Sequence, residues 1–229
     1  MFKINWKRDK NRIIWGSVIL VVALIAARIL IWEHNYYESK EGAERATTIS
    51  SPTEEEEVDE TPISDDQIKE YTVAADRPRY LSIPSIGVVN SRVLPVGLSS
   101  SKQLLTPASI YDTGWYTGSG KPGAGGTMLI DGHNGGPTKV GVFKRLPELN
   151  KGDIITIERG DGTIFNYQVV ENQTLTLAEA NQQMNKMLTT PKKGVESLSL
   201  ITCTGEWSQV QKTYLSRQFL RAILIVNEE

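Results

Sequence analysis

Between Arg79 and Val226 the chain carries eight short runs of apolar and β-branched residues separated by turn formers: Arg79 to Ile83, Ile86 to Asn90, Val93 to Leu98, Thr127 to Asp131, Asp153 to Glu158, Thr163 to Val170, Ser197 to Thr202 and Gln218 to Val226. Repeated short strands of this kind predict an all-β barrel or sandwich. Pro84, Pro95, Pro107, Pro122, Pro137, Pro147 and Pro191 fall between the runs or near their ends, where a sheet tolerates a residue without an N–H. Gly160-Asp161-Gly162 is a turn signal and makes Asp153 to Val170 a hairpin. Thr176-Leu177-Ala178-Glu179 fits a capping box that opens a short helix running to about Met187, and helix is otherwise expected to be scarce.

Charge and hydropathy divide the remaining chain. Ile13 to Trp32 is a 20-residue apolar stretch broken only by Arg28, the length that crosses a hydrocarbon core. Lys3, Lys7, Arg8, Lys10 and Arg12 precede it against a single Asp9, which places the amino terminus in the cytoplasm and the rest outside. The alternative, a cleaved signal peptide, suits neither the length of the run nor its Ile29-Leu30-Ile31-Trp32 end. From Glu33 to Asp76 fourteen acidic residues face three basic ones, a local charge of −11 that predicts an extended, disordered stalk. The reading is therefore a basic tail (1–12), a transmembrane helix (13–32), an acidic stalk (33–76) and an outer domain (77–229). That last part is long enough to bury one ordinary core. Its net charge of +4 is too small and scattered for nucleic acid.

Cys203 is the only cysteine of the 229 residues, so it forms no disulfide within the chain. A lone thiol is either buried filler or a nucleophile, and a nucleophile needs a base and an electrostatic partner. Cys203 follows the strand-like Ser199-Leu200-Ile201-Thr202 and precedes Thr204-Gly205, a turn that can present backbone N–H groups. His133, after Ile130-Asp131-Gly132 and before Asn134-Gly135-Gly136, is the only histidine available to it, because His34 lies at the root of the acidic stalk. Asp131 could orient the imidazole, although residues two apart on a strand share a face without necessarily touching. Arg217, at the start of the last strand, is a permanently charged planar donor that could stabilise a thiolate or oxyanion; its alternative is a surface arginine. One cysteine and one histidine are too few for a zinc site, and no metal or cofactor is expected.

These residues resemble the sortase family. Arg79-Tyr80-Leu81-Ser82-Ile83-Pro84-Ser85-Ile86-Gly87-Val88 is similar to its opening strand, Ile130-Asp131-Gly132-His133 to its histidine strand, Ser199-Leu200-Ile201-Thr202-Cys203 to its cysteine motif and Ser216-Arg217-Gln218-Phe219-Leu220 to its arginine strand. Ser199 stands where the family usually has threonine, and Asp131 where it often has a small residue. The resemblance implies a closed eight-stranded β-barrel and a membrane-anchored cysteine transpeptidase of the class A-like or a related single-anchor class. Such an enzyme cleaves a carboxyl-terminal sorting signal of the Leu-Pro-x-Thr-Gly type on a secreted protein, between Thr and Gly. It then passes the acyl group from a Cys203 thioester to an amine such as that of a peptidoglycan precursor, anchoring surface proteins to the cell wall. It further implies His133 as the proton-transfer group, Arg217 with the Thr204 N–H as oxyanion donors, Thr202 and Thr204 as substrate contacts, and the loop and helix from Thr174 to Pro191 as a groove wall. A pilus-polymerising sortase, a tethered thiol hydrolase and a noncatalytic wall-binding barrel are the alternatives. The absence of a second apolar span after the domain favours anchoring.

Overall fold

Strand pairing in the computed structural model, which describes residues 58–225, closes a single sheet on itself in the order β1-β2-β3-β4-β7-β8-β6-β5. The strands are β1 (Pro78–Ile83), β2 (Val88–Val96), β3 (Thr113–Tyr116), β4 (Thr127–Gly132), β5 (Ile154–Arg159), β6 (Ile164–Thr176), β7 (Ser197–Ser208) and β8 (Thr213–Leu224). Neighbours are antiparallel except β2 with β3 and β4 with β7. The expected eight-stranded barrel is present, with two differences in how the runs map onto it. Ile86 to Asn90 and Val93 to Leu98 belong mostly to one strand, β2, whose polar Asn90-Ser91-Arg92 centre reads as a break although it stays paired with β1. Asn90 takes a positive φ of 49° and donates its N–H to the Ser82 hydroxyl, so the strand kinks there without ending. The eighth strand is β3, only four residues long and too short to show a period.

Alternation sorts β4, β7 and β8 into two buried faces. Met128, Ile130, Leu198, Leu200, Leu220 and Ala222 point into the barrel with Leu81, Ile83, Trp115, Ile157 and Tyr167. Leu129, Ile201 and Phe219 point outward into a second apolar layer completed by Leu175, Ala180, Met184 and Met187. That layer is supplied by helix α2 (Leu177–Gln183) and the 3₁₀ turn Met184–Leu188. The predicted capping box opens α2: the Thr176 N–H donates to the Glu179 carboxylate at 2.9 Å and the Glu179 N–H to the Thr176 hydroxyl at 3.3 Å. Strands covered on both sides read as near-continuous apolar runs, which is the pattern of Leu198 to Ile201. The predicted hairpin also forms, with Glu158 opposite Ile164 and Gly162 at φ +83° in its turn.

The predicted stalk does not run to Asp76. Residues 58–76 pack on the barrel, because their acidic side chains have specific partners. Asp59 bridges to Ser109, with N–H groups of Asp59 and Ile110 donating to the Ala108 and Asp59 carbonyls at 2.9 and 3.0 Å. The Glu60 carboxylate accepts from the Thr138 and Lys139 N–H groups at 2.7 and 2.8 Å. Ser64 caps helix α1 (Asp65–Glu70) with Gln67 completing a capping box. The Tyr71 hydroxyl donates to the Val93 carbonyl at 2.6 Å, and Arg92 lies over its ring. Asp76 pairs with Lys121. A mean charge predicts disorder only when the carboxylates repel one another in water; here several are neutralised by backbone donors and cations. The expected membrane span and the first part of the stalk lie outside the described residues. Among the described residues no helix is long and apolar enough to cross a membrane.

Candidate active site

The outward face of β4, β7 and β8 continues beyond the apolar layer into a cavity of about 530 Å³ whose wall includes Asp131, His133, Cys203 and Arg217. The register explains this convergence. Cys203 lies directly opposite Arg217 in the β7–β8 ladder, and Asp131 is aligned with Ile201 in the parallel β4–β7 ladder. Side chains two residues apart share a face of a strand, so Ile201 and Cys203 open on the side that Arg217 and Phe219 face from β8. His133 follows the last residue of β4 and enters the cavity from the loop. Cys203 was expected at a strand end but sits within β7, because the β7–β8 hairpin extends to Ser208 and Thr213. A register shift between Thr204 and Trp207, with Gly205 at φ +80°, twists the hairpin just past the thiol.

Arg217 is not a surface arginine: its side chain is 1% exposed. Its Nη1 donates to the Tyr214 and Ser216 carbonyls at 2.8 and 2.9 Å, and its Nη2 to the Thr213 hydroxyl at 3.1 Å. The Nε donor is buried and has no protein partner. A guanidinium fixed on one edge with an unused N–H on the other can serve negative charge developing in the cavity. Burial raises the Cys203 pKa, opposed by Arg217 and reinforced by Asp131. Burial lowers the His133 pKa, partly offset by its bond to the Pro107 carbonyl. Both directions favour the neutral thiol and the neutral imidazole.

Asp131 is 6% exposed and pushed up to about 7 by burial, with the Thr106 hydroxyl pulling the other way. It makes no direct hydrogen bond to His133. Its Oδ2 accepts from the Thr106 Oγ1 at 2.5 Å, while the His133 Nε2 lies 2.7 Å from the Pro107 carbonyl oxygen. The Thr202 side chain is 3% exposed and its hydroxyl donates to the Gly132 carbonyl at 2.7 Å, which locks β7 to the end of β4 just before His133. Thr202 also lines the cavity, so its hydroxyl proton is used within the fold while the residue borders the space beside Cys203. Thr204, paired with Ser216, is not part of the cavity wall. Among the described residues no group of three or more His, Cys, Asp or Glu side chains is placed to hold a metal ion.

Thr174 to Pro191 does not line the cavity, contrary to expectation; it builds the second apolar layer instead. The wall is supplied by the connection between β2 and β3, including Leu104, Leu105, Thr106 and Pro107, and by Trp207 and Tyr214 on the β7–β8 hairpin. The first carries no strand period or charged motif that singles it out in the sequence. The aromatic pair carried a usable signal, since Trp207 and Tyr214 flank the hairpin turn and face each other edge-on at 5.3 Å. A cavity lined by a thiol, an imidazole and a buried guanidinium together with apolar side chains is suited to acyl transfer.

Residues 81–224 match the family model described as Sortase domain. Among solved structures, sortase C1 of Streptococcus agalactiae in complex with MTSET is 19% identical, with 86% of this chain and 88% of that chain covered at a TM-score of 0.50. Sortase C of Streptococcus pneumoniae is 22% identical over 83% of this chain and 89% of its own, with a TM-score of 0.49. A Clostridium perfringens Sortase D5 transpeptidase is 21% identical over 72% and 90%, with a TM-score of 0.46. At this identity the Streptococcus agalactiae likeness concerns the fold alone. The comparison with curated proteins found no match.

Proposed function

This chain belongs to the sortase family and is a cysteine transpeptidase, and we propose that Cys203 is its nucleophile, His133 its proton-transfer group and Arg217 its oxyanion donor. The observation that carries these assignments is the cavity itself: Cys203 and Arg217 face each other across β7 and β8, and His133 enters the same space from β4. The Cys203 thiolate attacks the threonyl carbonyl carbon of a Leu-Pro-x-Thr-Gly type signal. The carbonyl electron pair moves onto oxygen, where the unpartnered Nε–H of Arg217 stabilises it. Collapse breaks the Thr–Gly bond as His133 donates its proton to the leaving glycine nitrogen, leaving a thioester. An incoming amine then attacks the thioester, His133 takes its proton, and the thiolate leaves.

The amine acceptor we propose is that of a peptidoglycan precursor, which makes the reaction anchoring of secreted proteins to the cell wall. We further propose that Ile13 to Trp32 holds the enzyme in the membrane with its catalytic domain outside, as the basic flank and apolar length require. The test is incubation of the full chain in detergent with a sorting-signal peptide and either a peptidoglycan-stem amine or a pilin-type lysine peptide. A new amide to the stem amine supports anchoring. Coupling to the lysine alone makes it a polymerising enzyme, and free acid alone makes it a hydrolase.

A further inference from the structure

Two consecutive residues of the β2–β3 connection are tied to two positions near the end of β4. The Thr106 Oγ1 donates to the Asp131 Oδ2 at 2.5 Å, and the next residue, Pro107, places its carbonyl oxygen 2.7 Å from the His133 Nε2. Asp131 is held over a gap that β3 leaves for it, because a Cβ on Gly114 would stand 2.4 Å from the Asp131 Oδ1 and 2.9 Å from the Pro107 ring. That Oδ1 is buried without a hydrogen-bond partner. A buried carboxylate with an orphan oxygen is a costly arrangement in an apolar wall, and its one visible return is the fixed position of Thr106.

A carbonyl oxygen can only accept, so the contact with Pro107 requires the proton of neutral His133 to sit on Nε2. Nδ1 is then the nitrogen left to exchange protons in the cavity. The ring nitrogen that carries the proton is set by whatever the other end of the imidazole bonds, and here that partner is a carbonyl on a loop rather than on the barrel. The loop has no strand pairing at Thr106 or Pro107; the backbone is held on either side, by the Leu105 N–H on the Gly97 carbonyl and the Asp59 N–H on the Ala108 carbonyl, and between those ties the Thr106 to Asp131 bond is the contact that joins the segment to β4 beside the Pro107 carbonyl.

We propose that Asp131 and Thr106 are a positioning pair that clamps the Pro107 carbonyl against His133 and so fixes the catalytic imidazole as its Nε2–H tautomer. This rests on His133 being the proton-transfer group. The charged and titratable side chains that share the cavity with Asp131 are Cys203 on β7, Tyr214 and Arg217 on β8 and His133 itself; β3 opposes Asp131 with Gly114 and contributes none. The negative charge of Asp131 opposes thiolate formation at Cys203, so the pair has a hydrogen-bonding effect and a separate charge effect. Asp131→Asn divides them, since an amide oxygen still accepts from Thr106 while the charge is gone.

The experiment uses full-length protein in detergent with ¹⁵N-labelled histidine. The chain has two histidines, His34 and His133, so His133→Ala assigns the spectrum. Wild type should show His133 with a protonated Nε2 and an unprotonated Nδ1. Thr106→Val, which keeps the shape and removes the donor, should give a mixture of tautomers. Its kcat on a sorting-signal peptide should fall about tenfold with KM changed less than about twofold, and Thr106→Ser should restore both. Asp131→Asn should retain the Nε2–H signal but shift alkylation of Cys203 to lower pH. Wild-type ring-nitrogen signals in folded Thr106→Val would overturn the clamp, as would full kcat in a mixed-tautomer variant. Full activity in His133→Ala would instead remove the catalytic reading of His133, and the nitrogen signals would still decide whether the clamp exists.

Discussion

Cys203 and His133 share one cavity, and the protein displaces their ionisations in opposite directions. The ordinary values are 9.0 for the thiol and 6.5 for the imidazole; burial moves the first up and the second down. Attack requires thiolate, and departure of the glycine amine requires imidazolium. When the acid must ionise above the pKa of the base, the competent pair reaches a plateau between the two values. Its share there is set by their separation. The ordinary gap of 2.5 units already limits the share to about 1 in 300. The shifts widen that gap, so the share should be smaller. The rate of peptide cleavage should rise with pH through a limb below 6.5 and fall through a limb above 9.0. Asp131, held near 7 in the same space, ionises within this range and opposes the thiolate, while Arg217 favours it. The assay is kcat/KM for a sorting-signal peptide across pH, joined to the pH dependence of Cys203 alkylation. The alkylation midpoint should coincide with the alkaline limb. A thiol that alkylates with a midpoint below that of His133 would mean a preformed ion pair, and the reasoning from burial would be wrong.

A chain begun at Arg77 should melt below one begun at Val58. It loses the half-buried Tyr71 and its bond to the Val93 carbonyl, roughly 2 kcal/mol and about 4–8 °C in a domain of this size; equal thermal denaturation curves would show that residues 58–76 add no stability. Phe219→Ala should cost about 3–5 kcal/mol in denaturant unfolding, because its ring is 1% exposed between the barrel wall and α2. A loss below about 1 kcal/mol would mean that the outer layer closes over the gap. Protease added to intact protoplasts should release the catalytic domain by cutting within residues 33–57, and full protection would reverse the proposed orientation.

The parts of the fold that sequence exposed were those with local chemical causes. The Thr176–Glu179 capping box and the Gly162 turn are set by neighbours a few residues apart, and both formed as read. The barrel strands with long apolar runs were equally legible. Four-residue β3 was not, since Thr113-Gly114-Trp115-Tyr116 is short and is held by register with Val93 to Val96 and Ile130 to Gly132 rather than by its own pattern. The order of residues 58–76 was hidden for a related reason: Glu60 and Asp76 look like repelling charges until Thr138, Lys139 and Lys121 are brought beside them by the fold. At the site, residue type and motif singled out Cys203, His133 and Arg217, which the fold brings to one cavity. The distant pairings were not available, so Asp131 could be seen near His133 in sequence but its attachment to Thr106 could not. For the same reason the bond from the Thr202 hydroxyl to the Gly132 carbonyl, made by a residue that also lines the cavity, could not be read from sequence.

The most direct test of the account is to trap the acyl-enzyme. Full-length protein mixed with a Leu-Pro-x-Thr-Gly peptide and no added amine should gain the mass of the peptide cut after Thr, and digestion should place that mass on Cys203. Arg217→Ala and His133→Ala should accumulate far less of it, and Cys203→Ala none. Peptide cleavage by folded Cys203→Ala, or an adduct mapped to any other residue, would contradict the assignment of Cys203 as the nucleophile.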